Sequence, residues 1–151
     1  MQKLQMTDVE MGDLARMLRK VNFFSPLTVG QLEMVVPFIM LVSYEAQEVV
    51  FKQGQAGDAF YIVYSGRVEV KIKKGLLSFT KTVATSGPGD FFGEMALLAK
   101  GPRTATIECV EPSKFFVLLA SDFEYLLAQN PELATQMDRL AAQRKLLSSQ
   151  G

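Results

Sequence analysis

Residues 91–106 read FFGEMALLAKGPRTAT, and this stretch decides how the rest of the chain is read. Two phenylalanines lead into Gly93, where the absence of a side chain lets backbone approach a ligand closely. Glu94, Met95, Ala96, Leu97 and Leu98 follow without a breaker, so residues 94–98 are expected to form one helical turn. The free N–H groups of such a turn point at an anion. Arg103 adds a permanent charge and a planar fork that matches two phosphate oxygens. Pro102 biases Gly101 toward extended backbone and returns the chain to a following strand. Glu94 carries the wrong sign for phosphate, but it suits a sugar hydroxyl that donates to it. A structural Glu94–Arg103 ion pair would leave unexplained both Gly93 and the small residues Ala96, Thr104, Ala105 and Thr106. An anion and a sugar on one small molecule point to a nucleotide.

On either side of this stretch the pattern is that of strands. Between about Ile39 and Leu119 short β-rich runs recur: FIMLVSY, EVVF, AFYIVYS, VEVKIK, LLSFTKTVA, TATIECV and KFFVLL. Glycines at 54, 57, 66, 75, 87 and 89 punctuate them. The gaps are too short for the helices that parallel strands require. The expected fold is α+β: an antiparallel, eight-stranded, jelly-roll-like β-roll interrupted once by the helical turn near Glu94.

Helices flank the roll. Thr7 and Glu10 have capping-box spacing ahead of a face formed by Met11, Leu14, Ala15 and Leu18. Thr28 and Gln31 repeat that spacing in a short helix expected to stop before Pro37. After the roll, Ser121 and Glu124 predict a third cap. Asn130 followed by Pro131 predicts the start of a last helix reaching about residue 148. The expected organisation is one domain over 1–151, with N-terminal helices at 7–37, the roll at 39–119 and C-terminal helices at 121–148.

Composition narrows the chemistry. The 151 residues include 16 Lys plus Arg and 16 Asp plus Glu, a formal charge of zero. This speaks against a general nucleic-acid or membrane-surface binder. The local lysines at 71, 73, 74 and 81 read as a solvated strand. There is no histidine and one cysteine, Cys109, which reads as a buried apolar residue. Zinc sites and His-based acid–base or nucleophilic catalysis are therefore disfavoured, as are a metal-dependent cupin or phosphodiesterase. No metal or cofactor is expected. No apolar run reaches the roughly 20 residues of a membrane span, and no signal peptide is expected. The setting expected is cytoplasmic, without membrane insertion.

Taken together, Phe92, Gly93, Glu94, Ala96, Leu97, Pro102, Arg103, Ala105 and Thr106 resemble the F-G-E-x-A-L-x … P-R-x-A-T cassette of cyclic nucleotide-binding domains. These are regulatory modules of ion channels, protein kinases and catabolite activator-type regulators. The segment KQGQAGDAFYIVYSGRVEV resembles the same family's glycine framework. The resemblance covers roughly residues 20–147. It implies a non-catalytic sensor in which Arg103 pairs with the cyclic phosphate and Glu94 accepts from the ribose 2′-OH. Backbone near Gly93, Met95 and Ala96 would bind phosphate oxygens, with Ala105 assisting. Thr104 leaves the base open between cAMP, which is favoured, and cGMP. Val70 is assigned to a wall of the base pocket.

Leu133, Met137, Leu140, Arg144 and Leu147 form an apolar stripe interrupted by one arginine. The resemblance implies that this last helix closes over the base, with Leu140 or a neighbour on the purine and Arg144 at its edge. The same spacing suits a packing face, or a seam between two copies of the chain. The implied partners are the cyclic nucleotide and either a protein effector or further domains of a parent protein. A transcription regulator would need a helix-turn-helix module after the last helix, and a channel would need membrane spans. The alternative to a sensor is an interaction module that keeps the fold without binding nucleotide.

Overall fold

The computed structural model describes residues 1–75, 79–98 and 101–150, the side chains of 144–150 excepted. Strand β1 (Gln2–Leu4) precedes helices α1 (Asp8–Lys20) and α2 (Val29–Val35), and a 3-10 turn at Val36–Phe38 follows. The roll contains β2 (Met40–Tyr44), β3 (Val49–Phe51), β4 (Ala59–Ser65), β5 (Val68–Ile72), β6 (Lys81–Ser86) and β7 (Phe91–Phe92). Helix α3 (Met95–Leu98) leads to β8 (Thr106–Cys109) and β9 (Ser113–Leu119), then α4 (Ala120–Gln129) and α5 (Pro131–Gln150).

All strand pairs are antiparallel, in two sheets ordered β1-β2-β9-β4-β7 and β3-β8-β5-β6. Between Met40 and Leu119 the described residues hold eight strands, β2–β9, and β1 adds a ninth ahead of the helices. One expectation is corrected here: the strands form two open sheets rather than a jelly-roll-like barrel. The ninth, β1, lies outside the expected roll and exists through its register with β2. The five-stranded sheet is covered on both faces. On β4, Phe60 and Ile62 join the helical core, while Ala59, Tyr61 and Val63 face the second sheet. On β9, Phe116 and Leu118 face the helices and Phe115 and Val117 the other way. Burial on both faces is why AFYIV and KFFVLL read as apolar runs rather than alternations.

The helices form one layer on that sheet. In α1 the buried residues are Leu14 and Leu18, while Met11 and Ala15 are exposed. The expected stripe is therefore narrower, and half-buried Met17 joins it. Residues 22–26, expected only as a break, act as a plug. Phe23 and Phe24 are fully buried, with Phe24 edge-on to Phe60 at 5.5 Å and to Phe123 at 6.5 Å. Each fully buried phenylalanine contributes about 1.5–3 kcal/mol relative to exposure.

Caps held in part. Thr28 and Gln31 exchange both capping bonds, at 2.9 and 3.1 Å, and α2 ends before Pro37. Glu10 accepts from the Thr7 N–H at 3.2 Å. Helix α4 starts at Ala120, before the expected Ser121 cap, because β9 runs straight into it and the Ala120 N–H donates to the Asp58 carbonyl. Helix α5 starts at Pro131 as expected, with the Ala134 N–H donating to the Asn130 carbonyl at 3.0 Å, while the Asn130 side chain donates back to the Leu126 carbonyl at 2.9 Å and closes α4. The early part of the expected LLSFTKTVA strand, residues 76–78, lies outside the described residues, and β6 begins at Lys81.

Candidate functional site

The site is lined by residues of both sheets. β7 pairs with β4 through Tyr61–Phe92 and Ile62–Phe91, and the chain leaves the sheet at Gly93 with φ +82°. The following turn is closed by Ala96 N–H to the Gly93 carbonyl (3.0 Å) and Leu97 N–H to the Glu94 carbonyl (3.1 Å). Ala96 and Leu97 are buried, which anchors α3. The Ala96 N–H, expected to face phosphate, therefore already has a partner within its own turn.

Residues 101–103 are zipped onto the loop at 54–57. Gly57 N–H donates to the Gly101 carbonyl (2.9 Å), Arg103 N–H to Gln55 (2.6 Å), and Gly54 N–H to Arg103 (2.8 Å). This ladder fixes the Arg103 backbone and turns its side chain inward, leaving it 7% exposed. Nη2 donates to the Ala59 carbonyl at 2.8 Å and meets the Asp58 carboxylate at 3.3 Å. Asp58 is 80% exposed, so water screens much of that attraction. The guanidinium carbon lies 4.0 Å from the Phe51 ring centroid and 5.8 Å from that of Tyr61. Nε is buried and has no hydrogen-bond partner. Leaving such a donor unsatisfied costs about 1–3 kcal/mol, more for a charged group.

Arg103 lines a cavity of about 300 Å³. Of the residues assigned from sequence, Val70, Phe92, Gly93, Glu94, Met95, Ala96, Thr104 and Ala105 line it as well. The apolar walls are Phe51, Val70, Phe92, Met95 and Ile107, and the polar side chains are Glu94, Arg103 and Thr104. A small apolar cleft with a few convergent polar groups is the usual form of a ligand site.

Leu140 is not brought to this cavity. Half-buried, it packs against the helical core that holds Leu97, Leu133 and Met137, so part of its apolar surface is already covered. The side chain of Arg144 lies outside the described residues.

Sequence reasoning missed Phe51, Asp58 and Ile107. Gly57 and Asp58 were visible within the glycine framework, but nothing local placed them beside Arg103. Phe51 arrives there through its register with Ile107 in the β3–β8 pair. Among the described residues, no group of His, Cys, Asp or Glu could hold a metal ion. No helix among them is long and apolar enough to cross a membrane.

Comparison with known proteins agrees with this geometry. The family model for the cyclic nucleotide-binding domain matches residues 41–130. The chain is 31% identical over 121 residues to the cyclic AMP receptor protein of Thermus thermophilus, covering 80% of this chain and 56% of that protein. It is 30% identical over 141 residues to a cyclic nucleotide-gated potassium channel of Mesorhizobium japonicum, covering 91% of this chain and 38% of the channel. The chain thus spans only part of these curated relatives' length. Among solved structures, the regulatory domain of Toxoplasma gondii PKA with cAMP superposes with a TM-score of 0.73 at 30% identity, covering 81% of this chain and 46% of that one. With the cassette folded around a buried arginine and the family model matching most of the chain, the protein belongs to the cyclic nucleotide-binding domain family.

Proposed function

We propose that this chain is a non-catalytic sensor of a 3′,5′-cyclic nucleotide, with cAMP favoured over cGMP. The observation that carries the reading is Arg103: a buried guanidinium with an unsatisfied Nε, held against Phe51 and lining the cavity. A cyclic phosphodiester supplies the missing acceptor and neutralises the charge in one step. Gly93 and Met95 offer backbone to the phosphate, with Ala105 beside them. Glu94 accepts from the ribose 2′-OH. Phe92, Val70 and the newly placed Phe51 and Ile107 give the purine an apolar wall. Thr104 suits either base, and the preference for cAMP is supported by the cAMP-bound regulatory domain among the similar structures.

Occupancy would be transmitted through α5. Helix α3 packs against both α4 and α5, and Leu97 shares one cluster with Leu133 and Met137. A nucleotide that displaces α3 therefore disturbs the seat of α5 and releases Leu140 and Arg144 to close over the base. The ligand shifts that helix only by its difference in affinity for the two arrangements. The reader of this movement would be a protein effector or another domain of a parent protein, or a second copy of the chain.

Calorimetric titration with cAMP and cGMP tests the assignment, alongside Arg103→Ala. The substitution is expected to cost about 2–5 kcal/mol of binding. Equal heats for both proteins would overturn the role of Arg103. Absence of heat with either nucleotide in the unsubstituted chain would favour an interaction module that keeps the fold alone.

A further inference from the structure

The β5–β6 ribbon carries a second feature that nucleotide binding does not use. Residues 71–81 hold four lysines and no acid within a chain of zero net charge. Lys71 is already held by Glu69 and Glu108. The register pairs Ile72 with Lys81, so residues two apart on each strand share their face. That face presents Ile72, Lys74, Phe79, Lys81 and Val83, which together line a separate groove of about 300 Å³. Phe79 is 95% exposed and Val83 50%, an arrangement that water penalises. β6 is also the last strand of its sheet and almost wholly exposed, so the ribbon stands clear of the helical layer.

We propose that this ribbon face docks on an anionic lipid surface. Charge complementarity sets the sign of the partner, and the interleaved apolar residues set its kind. An acidic polypeptide would answer Lys74 and Lys81 yet leave Phe79 in water. The headgroup region of a bilayer accepts both, because an aromatic ring settles at the interface while lysines stay at phosphate depth. Each lysine near such a surface strengthens binding about fivefold. The ribbon is tied by Gln53 to the loop that carries the cavity-lining Gly57: the Gln53 side chain exchanges hydrogen bonds with the Lys73 backbone at 2.8 and 3.0 Å. Docking therefore fixes the orientation of the cavity relative to the surface.

Sedimentation with phosphatidylcholine vesicles, with and without phosphatidylserine, tests this directly. The chain is expected to bind only the phosphatidylserine vesicles, and less as salt rises. Combined Lys74→Ala and Lys81→Ala should weaken binding about 25-fold, from fivefold per lysine, while the heat of cAMP titration stays unchanged. Because the sequence has no tryptophan, Phe79→Trp supplies a single reporter, and its emission should shift to the blue on those vesicles. All of these side chains lie on a solvated ribbon, and circular dichroism of each variant checks the fold. Failure to bind phosphatidylserine vesicles overturns the proposal, as does bound protein with unshifted emission. Binding to a polyglutamate peptide in place of vesicles would assign the ribbon to an acidic polypeptide instead.

Discussion

Replacing Gly93 by alanine tests the geometry of the site most directly, because the cost can be worked from the structure. At Gly93 φ is +82°, and a β-carbon there would lie 2.6 Å from Arg103 Nη1 and 2.8 Å from the Ala59 carbonyl oxygen. That carbonyl is the acceptor for Arg103 Nη2, and β4 holds it in register with Leu119, so neither neighbour can yield freely. Gly89 provides the matching control: φ is +91°, and a β-carbon would meet nothing within 4 Å. Left-handed backbone costs alanine about 1–2 kcal/mol, offset by about 0.4–1 kcal/mol from a less flexible unfolded chain. Gly89→Ala should therefore destabilise by about 1 kcal/mol. Gly93→Ala adds overpacking of about 1–3 kcal/mol, for a total of about 2–4 kcal/mol. For a chain of this size these figures correspond to melting shifts of about 3 °C and roughly 6–12 °C. Thermal unfolding followed by circular dichroism measures both. Calorimetry with cAMP then asks whether affinity falls only for Gly93→Ala, whose β-carbon displaces the arginine. Equal melting losses, or equal affinities, would refute the reasoning that Gly93 exists to admit the guanidinium.

Three further outcomes follow from other parts of the molecule. Phe51→Leu keeps the wall apolar but removes the ring beneath the guanidinium, and should weaken cAMP binding by about 0.5–2 kcal/mol in titration; unchanged affinity would deny the ring any role. Removing the chain from Leu140 onward should weaken nucleotide binding while the two sheets still unfold cooperatively, and retained affinity would rule out closure by α5. Burial, aided by the neighbouring Tyr61, pushes the Tyr44 hydroxyl up, and burial beside Asp58 raises Tyr61. A hydrogen bond to Asp13 raises Tyr64. Raised values mean that the folded state keeps these protons longer than the unfolded chain does. Their contribution is complete below the free tyrosine value of about 10 and is lost as pH climbs through the folded values. Phenolate absorbance should therefore lag that of the denatured protein above about pH 10, and the melting temperature should begin to fall there.

Much of this molecule was legible because its signals are local. The Thr28 and Gln31 cap forms both of its bonds because its partners lie three residues apart. The cassette was readable for the same reason: a glycine, a short turn and an arginine within one stretch carry their chemistry in their order. The Ser121 cap failed where a local signal met a tertiary one, since the chain leaving β9 had already committed its backbone to Asp58. The stripe of Leu133, Met137 and Leu140 shows the other limit. Periodicity announces an apolar face but does not say what that face covers, and here it covers the helical core rather than the cavity.

The helices flanking the roll and the glycine, turn and arginine pattern of the cassette were determined by the sequence alone, since each depends on residues a few positions apart. Only the tertiary structure decided that the strands part into two open sheets, that Phe51 lies under Arg103, and that Nε is left without an acceptor. The physical reason is that pairing partners and buried faces are chosen by contacts across dozens of residues, where any of several apolar runs would serve until packing selects one.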